Sequence, residues 1–181
     1  MENGLENNTI YLTEMTDGFL MDIHGYASNE EVCKYQPWGP NSIEDTKTYL
    51  KEVLADVMKD KRTRYVFAVV EKTSNKMIGA GELFHVDYAN KNGEMGYIIH
   101  PNFWGNGIAT QVAHLLLDFG FKELKLNRIS ATCDVRNIAS EKVLKKVGMI
   151  QEGLLRENIL LKDGWRDSFL YSNLSRDRMT K

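Results

Sequence analysis

Short apolar runs alternate with breaks at the start of the chain. Residues 10–13 predict a first strand, and residues 17–32 predict one or two short helices, broken near Gly25 and at residues 28–29. The next segment, residues 34–41, carries two prolines and a glycine among polar and aromatic residues. Such a composition predicts a loop. A strand, a small helical unit and a loop are therefore expected in this order.

The segment after this loop predicts a longer helix. Ser42 stands three residues before Asp45, an arrangement close to a capping box, in which each side chain bonds the other residue's peptide amide. The apolar residues that follow recur at helical spacing. They are Ile43, Leu50, Val53, Leu54, Val57 and Met58.

Three β-rich runs in the middle of the chain predict an antiparallel meander. Residues 64–71 and 77–86 are separated by the turn-prone stretch KTSNK, and the turn DYANKNG leads to a third run, residues 94–100. The pattern then changes to helical spacing in residues 105–121. The face that this helix is expected to bury carries Ile108, Val112, Leu115, Leu116 and Phe119.

The last third of the chain repeats the alternation of strand and helix. Residues 128–133 predict a strand, and residues 137–147 predict an amphipathic helix that ends at Gly148, a typical C-cap residue. Two further strands, residues 149–161 and 165–174, are joined by Lys162-Asp163-Gly164, which is a hairpin signal. The hydrophobic character of this hairpin leaves room for a homodimer contact.

Composition and charge narrow the class of protein. The 181 residues predict one domain, residues 1–181, with 43% hydrophobic residues and enough length for a core. Basic and acidic residues number 23 and 25, so no broad basic surface for nucleic acid is expected. Cys33 and Cys133 lie far apart, without a second cysteine or histidine close enough for a metal pair, and are interpreted as small buried hydrophobic residues.

The chain start and the apolar segments bear on location. The first residues, MENGLENNTIYL, are acidic and polar, whereas a secretory signal begins with positive charge and an apolar core. No stretch approaches the ~18 apolar residues that a membrane span requires. We therefore expect a soluble cytoplasmic protein that does not bind membranes.

The most informative segment is a glycine-bearing turn between a predicted strand and a predicted helix, WGNGIA from Trp104 to Ala109. Glycines at the start of a helix let a ligand approach the backbone, and the unpaired amides of the first turn favour an anion such as a diphosphate. A tight strand-to-helix turn without a ligand is the alternative interpretation. Two known phosphate loops do not fit, because there is no GK[ST] ending and no third glycine at dinucleotide-fold spacing.

The same segment resembles the acetyl-CoA signature of the GNAT N-acetyltransferase superfamily, Gln/Arg-x-x-Gly-x-Gly/Ala. Gly107 and Ala109 match its last two positions, whereas Trp104 stands where Gln or Arg is usual. Downstream, NIASEKVLKKVGM resembles the second helix of the superfamily. The matching residues there are Asn137, Ser140 and Gly148. Together with YQPWGPNS near the front, the resemblance covers nearly the whole chain and is closest to the ribosomal-protein N-acetyltransferase (RimJ/RimL-type) branch.

This resemblance implies a fold and a co-substrate. The fold is of the α+β class, with a mixed, mostly antiparallel sheet of about seven strands flanked by about four helices. Acetyl-CoA is the acetyl donor, and no metal is involved. The strand 96–99 is expected to splay from its neighbour at a bulge, which frees backbone groups for the pantetheine arm and an amide near Ile99 for the oxyanion. The residues expected to contact acetyl-CoA are Ile98, Ile99, Trp104, Gly105, Asn106, Gly107, Ile108, Ala109, Thr110, Asn137, Ser140 and Lys146.

Each of these expectations has a structural alternative. Ile98 and Ile99 read as core side chains, so only their backbone is assigned to acetyl-CoA. Asn137 also fits a helix N-cap, a role compatible with a bond to pantetheine. Lys142, Lys145 and Lys146 crowd a helix C-terminus, where the helix dipole favours cations in any case, so contact with the 3′-phosphate of CoA is one of two interpretations.

The transfer reaction needs a base, an acid and an acceptor surface. Glu94 is the candidate base, acting directly or through water; a surface glutamate at a strand start is the alternative. Many relatives place an acid tyrosine seven positions after the asparagine, but Leu144 stands there, so the resemblance passes this role to Ser140; an ordinary third residue of a helix capped by Asn137 is the alternative. Trp38 is expected on the acceptor side, or packed on the core. His85 and His100 match no catalytic pattern and are assigned structural roles.

Acetylation of a primary amine is the predicted function, with the N-terminal α-amine of a protein as first choice. Holding an amine neutral at pH 7 costs roughly 1 kcal/mol for an α-amine of pKa ~7.8 and roughly 4.6 kcal/mol for a lysine of pKa ~10.4, so a weakly basic site suits the α-amine. A small-molecule amine, such as a polyamine, an amino acid or an antibiotic, is the alternative, and acidic residues at the acceptor mouth would favour it. A CoA-binding module without turnover and a plain nucleotide-binding module also remain open.

Overall fold

The computed structural model describes residues 5–178 and contains one seven-stranded sheet. Its strands are β1 Ile10–Glu14, β2 Tyr65–Glu71, β3 Lys76–Asp87, β4 Asn92–Ile99, β5 Arg128–Asp134, β6 Ile150–Leu161 and β7 Gly164–Leu174. They lie in the order β1-β2-β3-β4-β5-β7-β6, and only the β4–β5 pair is parallel. The predicted mixed, mostly antiparallel sheet is confirmed. The two ends of the predicted domain, residues 1–4 and 179–181, lie outside the described residues.

Five α-helices of the described part of the chain accompany the sheet. They are α1 Leu20–Ala27, α2 Glu30–Cys33, α3 Ile43–Val57, α4 Ile108–Asp118 and α5 Ile138–Lys146. Shorter helical turns are Asp17–Phe19, Pro101–Phe103, Ser175–Arg178 and, continuing α4 with wider winding, Phe119–Glu123. The capping box at the start of α3 is confirmed, because Ser42 Oγ accepts the amide of Asp45 and a carboxylate oxygen of Asp45 accepts the amide of Ser42.

The sheet separates two hydrophobic clusters. Side chains of a strand alternate between the two faces, and β2 shows this directly. Val66, Ala68 and Val70 face α1 and α3, whereas Phe67 and Val69 face α4. Helices α1–α3 therefore cover one face of the sheet, and α4 and α5 cover the other.

The sequence predicts two helix breaks near the front of the chain, and the structure contains one of them. The expected break at residues 28–29 is present, where the side chain of Asn29 caps α2 by accepting the amides of Glu31 and Val32. The expected break at Gly25 is wrong: this glycine lies inside α1. An ideal Cβ there would meet no atom within 4 Å, so this exposed residue is a tolerated helical glycine.

Three general expectations concern cysteines, metals and membranes. Cys33 and Cys133 are free and buried, as predicted. Among residues 5–178 there is no group of three or more His, Cys, Asp or Glu side chains arranged to hold a metal ion. None of the described helices is long and apolar enough to cross a membrane.

The C-terminal hairpin leaves apolar side chains exposed. Strand β6 is the last strand of the sheet order, and its side chains point partly to solvent. The exposed apolar residues of the hairpin are Ile150, Leu154, Leu160 and Trp165. A homodimer contact at this hairpin stays a prediction.

Candidate active site

The parallel strands β4 and β5 pair over only part of their length. Their register runs from Asn92 opposite Arg128 to Glu94 opposite Ser130 and then stops. Strand β4 nevertheless continues to Ile99 and β5 continues to Asp134. The two strands therefore diverge after Glu94, and the expected splay is present as a gap in the centre of the sheet.

A β-bulge lies beside this gap, but it is in β3 rather than in β4, where it is expected from the sequence. The register of β4 against β3 is continuous from Glu94 to Ile99, so the bulge expected in residues 96–99 is wrong. The register shift lies in β3, between Phe84 and Asp87, where two residues face one residue of β4. His85 takes a left-handed conformation there, with φ of 49°. Such a bulge bends a strand locally, and this one sits at the base of the gap.

The hydrogen-bond pattern shows which backbone groups of β4 face the gap. The amide of His100 donates to the carbonyl of Ile78, 2.8 Å away, directly across the β3–β4 pair. Because the bonds of an antiparallel pair alternate, the backbone groups of Ile98 also face β3, whereas those of Tyr97 and Ile99 face the opposite side. The Ile99 amide thus opens into the gap as expected. The expectation for Ile98 is wrong, because its backbone belongs to the β3–β4 ladder.

The turn before α4 carries a row of unpaired amides. Peptide nitrogens from Gly105 to Thr110 have no hydrogen-bond acceptor within the described part of the chain, and the first helical bond runs from Gln111 to the carbonyl of Gly107. Gly105 and Gly107 are left-handed, with φ of 79° and 73°. These amides lie at the positive end of the α4 dipole, which is the arrangement that binds anions.

Trp104 differs from its neighbours in this turn. Its peptide nitrogen donates to the carbonyl of Pro101, and its indole nitrogen donates to the carbonyl of Ile99 at 2.7 Å. Both N–H donors of Trp104 are therefore occupied, and the expectation that its peptide nitrogen grips a phosphate is wrong. Instead, the indole ties the turn to the splayed end of β4.

The first turn of α5 approaches the gap from the other side. Asn137 accepts the amide of Ser140 with its side-chain oxygen, at 3.1 Å, so the N-cap interpretation is confirmed. The hydroxyl of Ser140 lies 3.1 Å from the hydroxyl of Tyr97, which projects from β4. Burial raises the pKa of Tyr97 well above its ordinary value, and the bond with Ser140 opposes this only in part. Leu144, at the position of the usual tyrosine, is buried.

A cavity of about 930 Å³ extends from the loop before α3 through the gap to Ser140. Trp38 lines it and is 37% exposed, which confirms that this side chain is not packed in the core. The loop is fixed at both ends, since Arg166 donates to the carbonyl of Tyr35 at 3.1 Å and the amide of Asn41 donates to the carbonyl of Ala27 at 2.9 Å.

Carboxylates predominate on the side of the cavity formed by α3, β3 and β4. The acidic residues lining this side are Asp45, Glu52, Glu82 and Glu94. Arg64 is the cation there, and its Nε donates to Glu82 at 3.3 Å. Two tyrosines, Tyr26 and Tyr49, also line this region, and burial raises the pKa of each. This side of the cavity is therefore negatively charged overall.

Glu94 is half-buried in the cavity wall, as a candidate base should be. Its carboxylate lies 3.2 Å from Nδ1 of His85, which also lines the cavity and is 75% exposed at its side chain. His85 thus contacts the candidate base, and the structural role assigned to it stays a prediction. His100, in contrast, accepts the amide of Asn102 at 3.2 Å and caps the following turn, so its structural role is confirmed.

The remaining predicted contact lies at the other end of α5. Lys146 is exposed in the last turn of the helix, whereas Lys145 is paired with Glu141 at 2.6 Å. Contact between Lys146 and the 3′-phosphate of CoA stays a prediction. No motif in the sequence points to Tyr97 or Glu82. Both become neighbours of the predicted residues only through the β3–β4 register and the packing of α5, which no local motif encodes.

Comparison with known proteins identifies relatives of this chain. Residues 9–150 match the family described as acetyltransferase (GNAT) domain. The chain is 32% identical over 155 residues to an uncharacterized N-acetyltransferase, YnaD, of Bacillus subtilis, covering 86% of this chain and 87% of that protein. It is 27% identical over 161 residues to the spermidine N(1)-acetyltransferase of Vibrio cholerae, covering 89% and 90%. It is 25% identical over 166 residues to the ribosomal-protein-serine acetyltransferase of Escherichia coli, covering 85% and 92%.

A solved structure supports the fold independently. An acetyltransferase of the GNAT family from Bacillus anthracis superposes with a TM-score of 0.83 at 27% sequence identity, covering 95% of this chain and 98% of that one. The central sheet with its flanking helices is therefore a shared architecture.

Proposed function

The chain belongs to the GNAT acetyltransferase family and is an acetyl-CoA-dependent N-acetyltransferase, and we propose that its acceptor is a small-molecule amine with more than one positive charge. The observation that supports this acceptor is the acidic half of the cavity. Of its four carboxylates, Glu82 is paired with Arg64, Asp45 caps α3 and Glu94 contacts the exposed His85. Glu52 is left to face a cationic acceptor. The similarity to a spermidine acetyltransferase supports the same class.

The residues present fit acetyl-CoA. In this proposal, the free amides from Gly105 to Thr110 bind the diphosphate, because they combine unpaired donors with the positive end of a helix. The pantetheine arm lies in the gap between β4 and β5, where the backbone groups of Tyr97 and Ile99 are unpaired with β5. Asn137 caps α5 with its side-chain oxygen, which leaves its amide nitrogen to donate to pantetheine.

The two faces of the sheet divide the chemical work in this proposal. Glu94, on the acidic side, accepts a proton from the acceptor ammonium, directly or through water, so that a neutral amine can attack the thioester. The Ile99 amide donates to the carbonyl oxygen as negative charge develops there, a contribution of ~3 kcal/mol in comparable sites. Ser140, on the side of α5, donates a hydrogen bond to the sulfur as the carbon–sulfur bond breaks.

The N-terminal α-amine of a protein is the second candidate acceptor. It is supported by the similarity to a ribosomal-protein-serine acetyltransferase and by the lower cost of deprotonation, roughly 1 kcal/mol at pH 7 against roughly 4.6 kcal/mol for a lysine-like amine. The two candidate acceptors differ in whether they need a carboxylate of the cavity to bind a second positive charge. A small polycation needs a carboxylate for its distal charge, whereas a neutral peptide behind an α-amine does not.

Thiol release from acetyl-CoA with a panel of acceptors tests this proposal. The panel contains spermidine, a monoamine of similar length, and peptides that begin with serine or alanine. We expect spermidine to give the highest kcat/KM. Glu52→Gln should raise the KM for spermidine roughly threefold to fivefold, because an exposed ion pair contributes up to about 1 kcal/mol.

Glu44→Gln is the matched control, since this exposed glutamate lies on the same helix but outside the cavity wall. It should leave the KM for spermidine unchanged. If the peptides are better substrates and Glu52→Gln has no effect, the N-terminal α-amine is the acceptor and the small-molecule proposal is wrong. Competition of ATP with acetyl-CoA, measured in the same assay, should be weak.

A further inference from the structure

We propose that Tyr97 is a positioning residue that frees the hydroxyl hydrogen of Ser140 for the departing sulfur. The inference rests on the proposed role of Ser140. The step concerned is the cleavage of the carbon–sulfur bond, in which the electron pair of the bond goes to sulfur. The family resemblance implies a tyrosine on the second helix for this step, but Leu144 stands at that position. Tyr97 reaches the same cavity from the sheet instead.

The position of Tyr97 follows from the alternation of β4. Met95, Tyr97 and Ile99 share the face toward α4 and α5, so the tyrosine side chain leaves the strand beside the gap. Its hydroxyl oxygen lies 3.1 Å from Ser140 Oγ and 3.3 Å from the carbonyl oxygen of the same serine. No other hydrogen bond of this hydroxyl is present within residues 5–178. Both hydrogen-bond contacts of the Tyr97 hydroxyl are thus to one residue.

These two contacts allow two arrangements of the hydroxyl hydrogens, since each hydroxyl has one hydrogen and accepts with its lone pairs. In the closed arrangement, Ser140 donates to the Tyr97 oxygen and Tyr97 donates to the Ser140 carbonyl. In the open arrangement, Tyr97 donates to Ser140 Oγ, and the serine hydrogen is free. The closed arrangement converts to the open one when the two hydroxyl hydrogens rotate about their C–O bonds, and no heavy atom moves.

A developing thiolate selects the open arrangement, because only this arrangement offers it a hydrogen. The neutral thioester sulfur is a weak acceptor and gains little from the same hydrogen. The bond therefore strengthens as the reaction proceeds, which is the condition for raising kcat rather than substrate affinity. Without the tyrosine hydroxyl, Ser140 would turn its hydrogen to another acceptor, and no partner would hold its oxygen in place.

Tyr97 supplies a hydrogen bond in this scheme and keeps its own proton. Burial holds its pKa above the ordinary value, so it remains neutral at the pH at which the enzyme works. Ser140 likewise keeps its proton. The amine nitrogen loses its protons through Glu94 to solvent, and the thiolate takes one proton from solvent when CoA leaves. Charges and protons balance without a tyrosinate.

Four variants test the inference: Tyr97→Phe, Ser140→Ala, the double variant, and Tyr65→Phe as a control. Tyr97→Phe keeps the ring and removes only the hydroxyl. We expect kcat to fall about tenfold, the effect of one hydrogen bond, with the KM for acetyl-CoA and the affinity for CoA unchanged. Ser140→Ala should lower kcat by at least the same factor. Because Tyr97 acts through Ser140, the double variant should match Ser140→Ala alone.

Tyr65 is a suitable control because its hydroxyl also pairs with another hydroxyl, that of Tyr88 at 2.6 Å, but outside the cavity wall. Tyr65→Phe should retain the parent kcat. If Tyr97→Phe leaves kcat unchanged, or lowers it equally with and without Ser140, the positioning role is overturned. If Ser140→Ala has no effect, the assignment of both residues is overturned, although acetyl transfer itself, seen as thiol release by the parent enzyme, would stand.

Discussion

At the scale of single residues, two glutamates compete for the role of base. Glu94 and Glu82 lie on the same face of neighbouring strands, since Glu94 is opposite Phe84 and Glu82 is opposite Gly96. Glu82 is bonded to Arg64, which occupies one of its oxygens, and Glu94 is bonded to the exposed His85. The oxygen of Glu82 that accepts from Arg64 is already engaged within the protein, which leaves less of this carboxylate free to contact an acceptor amine. Glu94 is therefore the stronger candidate.

Replacement of each glutamate by glutamine separates the two candidates. Glu94→Gln should lower kcat by roughly 10²-fold or more, the usual contribution of a general base, with the affinity for acetyl-CoA unchanged. Glu82→Gln should lower kcat much less. Steady-state kinetics at saturating acetyl-CoA measures both effects. A large loss in Glu82→Gln together with a normal rate in Glu94→Gln would assign the base to Glu82.

Motifs in the sequence located one part of the site and missed another. Ser140 and Asn137 were singled out because their helix resembles the family pattern, in which the two residues lie three positions apart. Glu94 was found because it begins a strand of the meander. Tyr97 and the contact of His85 with Glu94 were not found, because both depend on which strands separate and where a bulge falls. Those features arise from contacts between distant segments, and no local pattern records them.

At the scale of elements, the start of α4 depends on the left-handed conformation of Gly107. An ideal Cβ at this residue would meet no atom within 4 Å, so the backbone angle rather than crowding favours glycine. Gly25 in α1 provides the opposite case, because space is equally open there but the conformation is helical. The same substitution should therefore have opposite effects at the two positions.

Gly107→Ala should destabilise the fold by about 1 kcal/mol, because a side chain disfavours the left-handed conformation. It should also weaken CoA binding several-fold by turning the free amides of the turn. Gly25→Ala should stabilise the fold by about 0.4–1 kcal/mol and leave CoA binding unchanged. Urea unfolding and calorimetric titration with CoA measure the two properties. Equal CoA affinity in both variants would show that the turn does not bind the diphosphate.

Periodicity predicted the elements well because each amphipathic segment buries one face. The meander, α3 with its capping box and the C-terminal hairpin all appear close to their predicted bounds. The failures have a common physical origin. Gly25 is accommodated because neighbouring packing outweighs a weak local preference, and the bulge moved from β4 to β3 because strand register is set across the sheet. Pattern along the chain determines element type better than it determines register.

At the scale of the whole molecule, the C-terminal hairpin is fastened to the rest of the sheet across β7. Arg128 of β5 donates to Glu152 of β6 at 2.7 Å, and Ser172 of β7 donates to the same carboxylate at 2.7 Å. The hydrogen bond from Arg128, followed by that from Ser172, lowers the pKa of Glu152 to about 2. This carboxylate therefore links three strands, and its ionisation couples the attachment of the hairpin to pH.

The direction of this coupling follows from the two pKa values. The folded protein holds Glu152 at a pKa of about 2, below the ordinary value of 4.5, so the stabilisation is fully present above about pH 4.5 and is lost as pH falls through about 2. Because the glutamate side chain is 38% exposed, solvent screening reduces the contribution to about 1 kcal/mol.

Glu152→Gln should thus lower the unfolding free energy by this amount at pH 7. The unfolding free energies of the variant and the parent, plotted against pH, should converge near pH 2. Glu123→Gln, an exposed position after α4, should follow the parent at each pH. A difference between Glu152→Gln and the parent that stays constant from pH 7 to pH 2 would mean that packing, rather than charge, attaches the hairpin.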